Sequence, residues 1–343
     1  MTFLMTKTSL MITALFILGL IGAYSVYQPF LLSITVAMLL SMATFNLTKQ
    51  LTKMTDSAKI SAAISTLLMT LLLFVPIIYL ATVGVGYISQ IDNAGIKDTI
   101  TTVKIFVEEI PYLNDISDQY LNDQKITEYI KESTTYLTLA GGAGLGFMKN
   151  MLFVVVFYFF INYYGNRFFD TILELLPVSP AKGSRMIQEV SATMEIVFYS
   201  IIVTAIFEGV LFGIIMSYFG FNGLLFGVIY GFASLIPIVG GIVVWLPVSL
   251  YAWTKIDSQT AIVIASYSVI MISIIADTFI KPMIIDVIKV DFLKSTIEIN
   301  SILIFFSILA GMSTYGFWGM IVGPAVTSFM IAITKVYLDY SEK

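Results

Sequence analysis

The sequence has 343 residues, of which 58% are hydrophobic and only 12% are charged, and its mean hydropathy is +0.93. Because a soluble domain carries about 25% charged residues, this composition excludes an ordinary soluble enzyme, and such an apolar chain cannot stay disordered in water either. Cysteine and histidine are both absent, which excludes disulfides, thiolate nucleophiles, serine–histidine–aspartate triads and the usual zinc sites. We therefore expect a membrane protein that is not an enzyme and has no metal site and no cofactor.

The spacing of charged residues locates the membrane spans. A helix needs about 20 apolar residues to cross about 30 Å of hydrocarbon. Segments without charged side chains are long enough for this at 8–48, 60–91, 150–166, 196–254 (apart from Glu208), 258–276 and 299–334. Runs such as Met151–Tyr164 are apolar on every face, whereas polar and apolar residues alternate along the strands of a membrane barrel. These segments are therefore predicted to be helices. We expect an all-α, polytopic transmembrane helical bundle of about eight spans, with a turn at Tyr27-Gln28-Pro29 dividing an opening helix pair.

Two of the apolar segments are too long for one straight helix and contain glycine and proline. The first break lies at Ser234–Gly241 and includes Pro237, Gly240 and Gly241; the second lies at Tyr315–Pro324 and includes Gly316, Gly319, Gly323 and Pro324. A broken helix leaves backbone N–H and C=O groups unpaired, which is tolerated at membrane depth only within protein or beside a water-lined cavity. Paired breaks therefore indicate a transport site. The alternative is that glycine and proline are simply common in membrane helices.

The chain divides by composition into three regions. Residues 1–88 form an amino-terminal membrane region of three helices, and 148–343 form a transport core that includes a cytoplasmic connector at 167–195. Between them, 89–147 carries four lysines and nine acidic residues, and its apolar residues recur at helical spacing. We predict a small extramembrane insert of amphipathic helices. Its acidic face is either simply solvated or attracts cations or a basic partner.

Positive residues near the span ends predict which side faces the cytoplasm. Lysines flank the second and third helices, and Arg167, Lys182 and Arg185 follow the fourth. These loops are predicted to be cytoplasmic, which places both termini inside and the acidic insert outside. Residues 281–298 carry equal numbers of lysines and acids, so charge does not decide their side.

Three charged residues are candidates for transport or coupling. Glu208 lies near the middle of the fifth span, where a charged side chain costs roughly 2.5–3.5 kcal/mol on insertion scales. It is interpreted either as a proton- or cation-coupling group or as a structural hydrogen-bond partner. Asp277 and Lys281 are spaced to share one helix face, so they either pair with each other or gate a pathway. Pro282 is predicted to end their helix.

Several of these motifs together resemble a known family. In order they are the opening helix pair, the amphipathic insert, Leu176-Pro177, Pro237–Gly241, an aspartate followed by Lys281-Pro282, and Gly316–Pro324. This arrangement resembles the autoinducer-2 exporter family of bacterial membrane proteins, also called PerM-type permeases. The resemblance implies an eight-span inner-membrane transporter, a homo-oligomer that could be a pentamer, and either export of autoinducer-2 or sodium or lithium/proton antiport. The residues of this sequence that match the family motifs are Pro237, Gly240, Lys281, Pro282, Gly316, Gly319, Gly323 and Pro324. Gly241 departs from the usual family pattern.

Three functions remain open at this point. The first is gradient-driven export of a small organic signal, since the chain contains no Gly-x-x-x-x-Gly-Lys-Ser/Thr motif for ATP binding. The second is a monovalent cation/proton antiporter with Glu208 and Asp277 as oxygen ligands. The third is a membrane scaffold that transports nothing and binds an extracytoplasmic partner through the acidic insert. Nucleic acid is not an expected partner, whereas membrane lipid and either a small-molecule or a monovalent cation substrate are.

Overall fold

The structure is a computed structural model that describes residues 7–84, 148–165, 180–236, 240–288 and 301–341, together with six residues of the insert. Every element in these ranges is helical, which confirms the predicted all-α fold. Several predictions lie outside the described residues. They are the two helices of the insert, an interfacial helix within 167–176, Pro237 and the second half of the 281–298 loop.

Twelve helices are numbered here in chain order within the described ranges. They are α1 (Lys7–Tyr27), α2 (Leu31–Ala43), α3 (Phe45–Thr55), α4 (Ala58–Tyr79), α5 (148–165), α6 (Pro180–Tyr218), α7 (Gly223–Ala233), α8 (Gly240–Lys255), α9 (Ser258–Tyr267), α10 (Lys281–Asp286), α11 (Ser301–Tyr315) and α12 (Gly319–Ser341). A π-helix, Ser268–Ile280, joins α9 to α10, and single 3₁₀ turns follow α1 and α11.

The surface of this bundle is apolar over most of its length. Large hydrophobic side chains such as Leu18, Phe279 and Tyr218 are 70%, 66% and 79% exposed, far more than a soluble monomer tolerates. Five helical stretches of the described residues are long and apolar enough to cross a bilayer, namely Leu10–Ala43, Ala58–Gly84, Ala181–Tyr218, Ser258–Asp286 and Ile302–Thr334. The exposed apolar faces therefore fit contact with lipid tails.

The buried side chains form two apolar clusters along α6. The first cluster joins α2, α5, the amino-terminal half of α6 and the start of α12, around residues such as Leu40, Tyr158 and Met194. The second joins the carboxyl-terminal half of α6 to α7, α8, α9 and the π-helix, around Phe212 and Tyr230. At 1.5 Å per residue the 39-residue α6 is about 58 Å long, so it connects the two halves of the molecule.

Small residues bring α6 and α7 into direct backbone contact. A β-carbon placed on Gly209 would lie 2.6 Å from the Gly227 carbonyl oxygen, and one on Gly213 would lie 2.7 Å from that of Gly223. Ala205 meets Gly231 in the same way. The pairing order shows that the two helices are antiparallel, and only glycine or alanine permits an approach this close. Larger residues at these positions would separate the helices.

Helices α7 and α8 form a re-entrant hairpin. With 11 residues, α7 is only about 16 Å long, roughly half the thickness of the hydrocarbon core. The chain then turns, and Gly240 packs against the carbonyl of Ala233. Helix α8 returns along α7, so that the rings of Phe221 and Tyr251 lie 6.4 Å apart at the open end. The first predicted break therefore lies between two antiparallel arms, the first of which is too short to cross a bilayer.

The second break is also a reversal of the chain. Gly316 adopts φ +59°, a left-handed conformation that glycine accepts readily. After this turn, Gly319 contacts Gly311 and Gly323 contacts Ser307 through their backbones, so α12 packs antiparallel to α11. Leu235 near the first tip and Phe317 at the second turn both contact the first apolar cluster. Each break therefore packs partly against protein, while Ile236 beside the first and Tyr315 beside the second are 44% and 49% exposed.

Two details differ from the sequence-based expectations. The turn expected at Tyr27-Gln28-Pro29 does not reverse the chain, because a single 3₁₀ turn joins α1 to α2 within one helical stretch, Leu10–Ala43. Residues 10–29 are all exposed, and the apolar side chains of α1 need no protein partner in lipid. Helix α6 begins at Pro180, so 180–195 of the expected connector continues into the span that carries Glu208. Proline is favoured in a first helical turn, where its missing N–H is not needed.

Candidate functional site

Three charged side chains from two parts of the chain meet beside the re-entrant hairpin. Lys281 Nζ donates to Glu208 Oε1 at 3.0 Å and to Asp277 Oδ1 at 3.1 Å. The side chain of Glu208 is only 5% exposed, whereas Lys281 and Asp277 are 35% and 43% exposed. We call these three residues the charged triad. Its formal charge is −1, since one ammonium bridges two carboxylates.

The π-helix and α10 place Asp277 and Lys281 on one side. The N–H of Lys281 bonds to the Ala276 carbonyl, five residues earlier, which is the wide register of a π-helix. Such segments occur frequently at functional sites. Asp277 and Lys281 pair with each other as the sequence indicates, but Lys281 also reaches α6. A lysine stem can lie along apolar surface while its ammonium extends to a distant partner.

The tip of the re-entrant hairpin lies against the buried end of the triad. Ser234, the first residue after α7, lies near the Glu208 carboxylate, and its hydroxyl donates to the Gly231 carbonyl at 3.0 Å. On the return arm, Gly241 packs against the hydroxyl of Tyr230. The first break and the buried carboxylate, which are far apart in sequence, therefore belong to one site.

Two polar groups in the same half of the molecule are buried without partners. Trp245 Nε1 and Ser268 Oγ have no hydrogen-bond partner in the described part of the chain. Trp245, on α8, packs against the second apolar cluster, and Ser268 is fully buried at the start of the π-helix. An unpaired buried donor costs about 1–3 kcal/mol. These groups can therefore hydrogen-bond to a polar molecule that enters this half of the protein.

The remaining motif residues have structural positions in the hairpins. Gly319 and Gly323 form the close α11–α12 contact, and Pro324 lies within α12, where its carbonyl accepts from Ser328 at 2.8 Å. The prediction that Pro282 ends its helix is wrong. Pro282 lies in the first turn of α10, which continues to Asp286, because a first turn accommodates a residue that lacks an N–H.

A neutral polar network lies in the other half of the molecule, between α2, α3, α4 and α5. The Tyr158 hydroxyl is 2.7 Å from both Thr44 Oγ1 and Ser65 Oγ. Thr48 is 3.1 Å from Ser65 and donates to Asn162 Oδ1 at 3.2 Å. We call these five residues the neutral network. Its members are hydrogen-bonded to one another, so they hold four helices together at little cost.

A second buried glutamate of α6 lies beside this network. Glu195 is 4% exposed, and its carboxylate accepts from Asn46 N at 2.9 Å and from Asn46 Nδ2 at 2.7 Å. Asn46 lies in the first turn of α3, and the side chain of the α3 cap residue, Thr44, makes no hydrogen bond to the start of that helix. Glu195 therefore caps the amino end of α3 from another helix, where a negative charge is favourable.

The sequence analysis missed several of these residues. Ser234, Trp245 and Ser268 carry no distinct signal, since isolated polar residues are common in membrane helices. The region of the neutral network does carry a sequence signal. Hydroxyl residues recur there at intervals of three or four within apolar surroundings, at Ser41, Thr44 and Thr48 and again at Ser61 and Ser65. That spacing places hydroxyls on one helix face.

Comparison with known proteins gives one consistent result. Residues 10–339 match the family described as AI-2E family transporter. A protein of Helicobacter pylori (strain ATCC 700392 / 26695) is 33% identical over 333 residues, covering 95% of this chain and 94% of the relative. Proteins of Aquifex aeolicus and Methanocaldococcus jannaschii are 21% identical over 266 residues and 23% identical over 254, covering 73% and 68% of this chain and 71% of each relative. All three are named provisionally as transport proteins, and their names specify no solute.

Proposed function

The chain belongs to the AI-2E transporter family, and from this premise we propose that it exports a small organic signal such as autoinducer-2, driven by an ion gradient. The charged triad is the proposed coupling site. The observation that carries the proposal is the ion pair between Glu208 on α6 and Lys281 on α10, beside the tip of the re-entrant hairpin.

Protonation of Glu208 would act directly on the contact between α6 and α10. The carboxylate and the Lys281 ammonium are 3.0 Å apart with Glu208 nearly inaccessible, so their attraction is only weakly screened. A proton on Glu208 removes this attraction and leaves Lys281 with the exposed Asp277. The α10 segment and the hairpin tip are then free to move relative to α6. A proton gradient can thereby bias two arrangements of the bundle, as alternating access requires.

An organic solute is supported by the unpartnered polar groups of the second half. Trp245 Nε1 can donate one hydrogen bond, and the Ser268 hydroxyl can both donate and accept. A small hydroxylated molecule without net charge can bond to a group of this kind, and it would leave the ion pairs of the triad intact. Binding sites of this kind are apolar with a few placed polar groups.

The second candidate is a monovalent cation/proton antiporter, and one feature of the triad favours it. Two carboxylates converge on a single positive charge, at 3.0 and 3.1 Å from Lys281 Nζ. Carboxylate oxygens in this arrangement can bind a small hard cation after Lys281 moves away. Antiport predicts pH changes in vesicles on addition of sodium or lithium, whereas export of an organic signal predicts none.

The proposal includes a location and an assembly. Positive-inside bias supports a multi-pass protein of the bacterial cytoplasmic membrane with both termini inside. The fully exposed α1 is compatible with a homo-oligomer, which could be a pentamer. Reporter fusions at each terminus measure the orientation, and mass measurement in native lipid measures the number of copies.

The experiment that tests the proposal compares two glutamate variants of the same helix. Glu208→Gln keeps the size and hydrogen-bonding capacity of the side chain but cannot exchange a proton. In proteoliposomes with an imposed proton gradient we expect it to abolish gradient-driven autoinducer-2 flux. Glu195→Gln is the matched control, because Glu195 is equally buried but lies in the other half, and it should keep its flux. Unchanged flux in Glu208→Gln would remove the triad from the coupling mechanism.

A further inference from the structure

A row of buried polar side chains on α6 leads to Glu208. Thr193, Ser200, Thr204 and Glu208 follow one another at intervals of seven, four and four residues, so they lie on one face of a helix with 3.6 residues per turn. Their exposures are 5%, 8%, 6% and 4%. The row extends about 22 Å along α6 at 1.5 Å per residue. We call Thr193, Ser200 and Thr204 the hydroxyl stripe.

The hydroxyl stripe has unused hydrogen-bonding capacity. Thr193 Oγ1 donates to the Glu189 carbonyl at 2.9 Å, and Thr204 Oγ1 donates to the Ser200 carbonyl at 2.7 Å. Each threonine oxygen therefore keeps lone pairs that can accept. Ser200 Oγ has no hydrogen-bond partner within the described residues, although Ser200 is more than nine-tenths buried. A buried hydroxyl of this kind is expected to contact a polar ligand.

The other faces of α6 have different surroundings. Gly209 and Gly213 contact α7 through the backbone, Glu195 caps α3, and Ile206 and Val203 are 57% and 39% exposed on the apolar surface. The hydroxyl stripe is distinct from all three. Among these faces, it is the one that is buried, ends at the charged triad and contains a hydroxyl, that of Ser200, with no partner within the described residues.

We propose that the hydroxyl stripe lines a water-accessible path that connects Glu208 with the side of the membrane at which α6 begins. The ligand of the path is water, and its role is to deliver protons to Glu208 and to remove them. Hydroxyl oxygens suit this role because they accept and donate hydrogen bonds without holding a charge. This path depends on the proposed function, since proton delivery has a purpose only if Glu208 exchanges protons during transport.

Cysteine accessibility tests the path directly, because the natural chain contains no cysteine. We would introduce Ser200→Cys and Thr204→Cys singly and treat vesicles with a membrane-impermeant cationic methanethiosulfonate reagent. The cysteine thiolate attacks the thiosulfonate sulfur of the reagent, forms a mixed disulfide and releases methanesulfinate, and the thiol ionises readily only where water reaches it. Both variants should be modified from the side at which Ala181→Cys, at the exposed start of α6, is modified, and not from the opposite side.

Two control variants on α6 set the background. Phe212→Cys lies in the second apolar cluster, and Ile206→Cys lies on the apolar surface. We expect both to react at least about tenfold more slowly than Ser200→Cys, because neither thiol meets water. Equal rates at Ser200 and Phe212, or modification of Ser200→Cys only from the opposite side, would overturn the path.

A flux measurement separates this proposal from the proposed function. Ser200→Leu fills the path with a larger apolar side chain and should slow proton-driven flux at least about tenfold without altering solute affinity. If the cysteines are modified as expected but Glu208→Gln still transports, the path exists and the coupling role of Glu208 is wrong. If Glu208→Gln abolishes flux but the cysteines stay unmodified, coupling holds and protons reach Glu208 by another route.

Discussion

Helix α6 carries two glutamates that are buried to the same extent, 4% exposed each, and yet their surroundings are opposite in kind. Glu195 lies in the amino-terminal half and accepts from the backbone and side-chain amides of Asn46. Glu208 lies in the carboxyl-terminal half and is bonded to the ammonium of Lys281. The first is fixed at a helix end beside the neutral network. The second joins helices that belong to separate parts of the chain.

This difference indicates which half can move. The neutral network bonds four helices through hydroxyl groups that already satisfy one another, so opening it would leave several donors unpaired at once. In the other half, one proton can cancel the ion pair between α6 and α10, and the side chains of Trp245 and Ser268 have no hydrogen-bond partner among the residues that the structure describes. Buried charges in membrane proteins are retained where function needs them. We therefore expect the neutral half to act as the frame and the charged half as the moving part.

Of the substitutions that test this difference between the two halves, Lys281→Met is expected to have the largest effect on flux and stability. Loss of the ammonium leaves Glu208 buried without a counter-charge, and breaking a buried pair in this way costs about 3–5 kcal/mol. Gradient-driven flux should be lost, and the thermal midpoint in detergent should fall.

The double variant Glu208→Gln/Lys281→Met decides whether the unpaired charge is the cause. It should recover part of the lost stability but none of the flux. An equal midpoint in the single and double variants would show that the unpaired charge of Glu208 is not the cause of the lost stability.

A smaller effect is expected from Glu195→Gln. Glutamine keeps one oxygen for the Asn46 amide but loses the charge that favours the start of α3, and hydrogen bonds to charged groups contribute about 1.5–3 kcal/mol. The midpoint should fall by less than in Lys281→Met, and gradient-driven flux should remain. A loss of flux with unchanged folding would place Glu195 in the transport mechanism and would contradict the assignment of this half as the frame.

The smallest effect concerns an acid outside the spans. Asp257 caps α9, and hydrogen bonds from the Thr260 backbone N–H at 2.7 Å and from its hydroxyl lower the pKa of the Asp257 carboxyl. A lowered folded-state pKa means that the cap stabilises α9 fully above the ordinary pKa of aspartate and is lost as pH falls through the lowered value.

Hydrogen exchange in the first turn of α9 measures this cap. Protection, measured relative to the intrinsic exchange rate at each pH, should fall in Asp257→Ala and in the unaltered protein at strongly acidic pH, whereas Asp257→Asn, which also caps helices well, should remain protected at neutral pH. Protection that does not change with pH would show that the carboxylate charge is unimportant there.

Much of the fold follows from the sequence because lipid imposes strict rules. Charge-free segments locate helices, since neither charges nor unpaired backbone groups are stable in hydrocarbon, and the glycine- and proline-containing breaks at Ser234–Gly241 and Gly316–Pro324 mark where they are interrupted. The pairing of Asp277 with Lys281 follows from helical spacing alone. The hydroxyl stripe has a visible period too, which could have been recognised.

The sequence by itself determined that the chain is helical and where the two breaks lie. It also determined that the charge of Glu208 must be compensated within the membrane. Only the tertiary structure decided which group compensates it, since Lys281 is 73 residues further along the chain and many polar groups could meet the same need. It also decided that the first break returns as a hairpin beside that glutamate. The reason is that local spacing fixes neighbours along one helix, whereas contacts between helices depend on how closely their surfaces fit, here through the glycines that join α6 and α7.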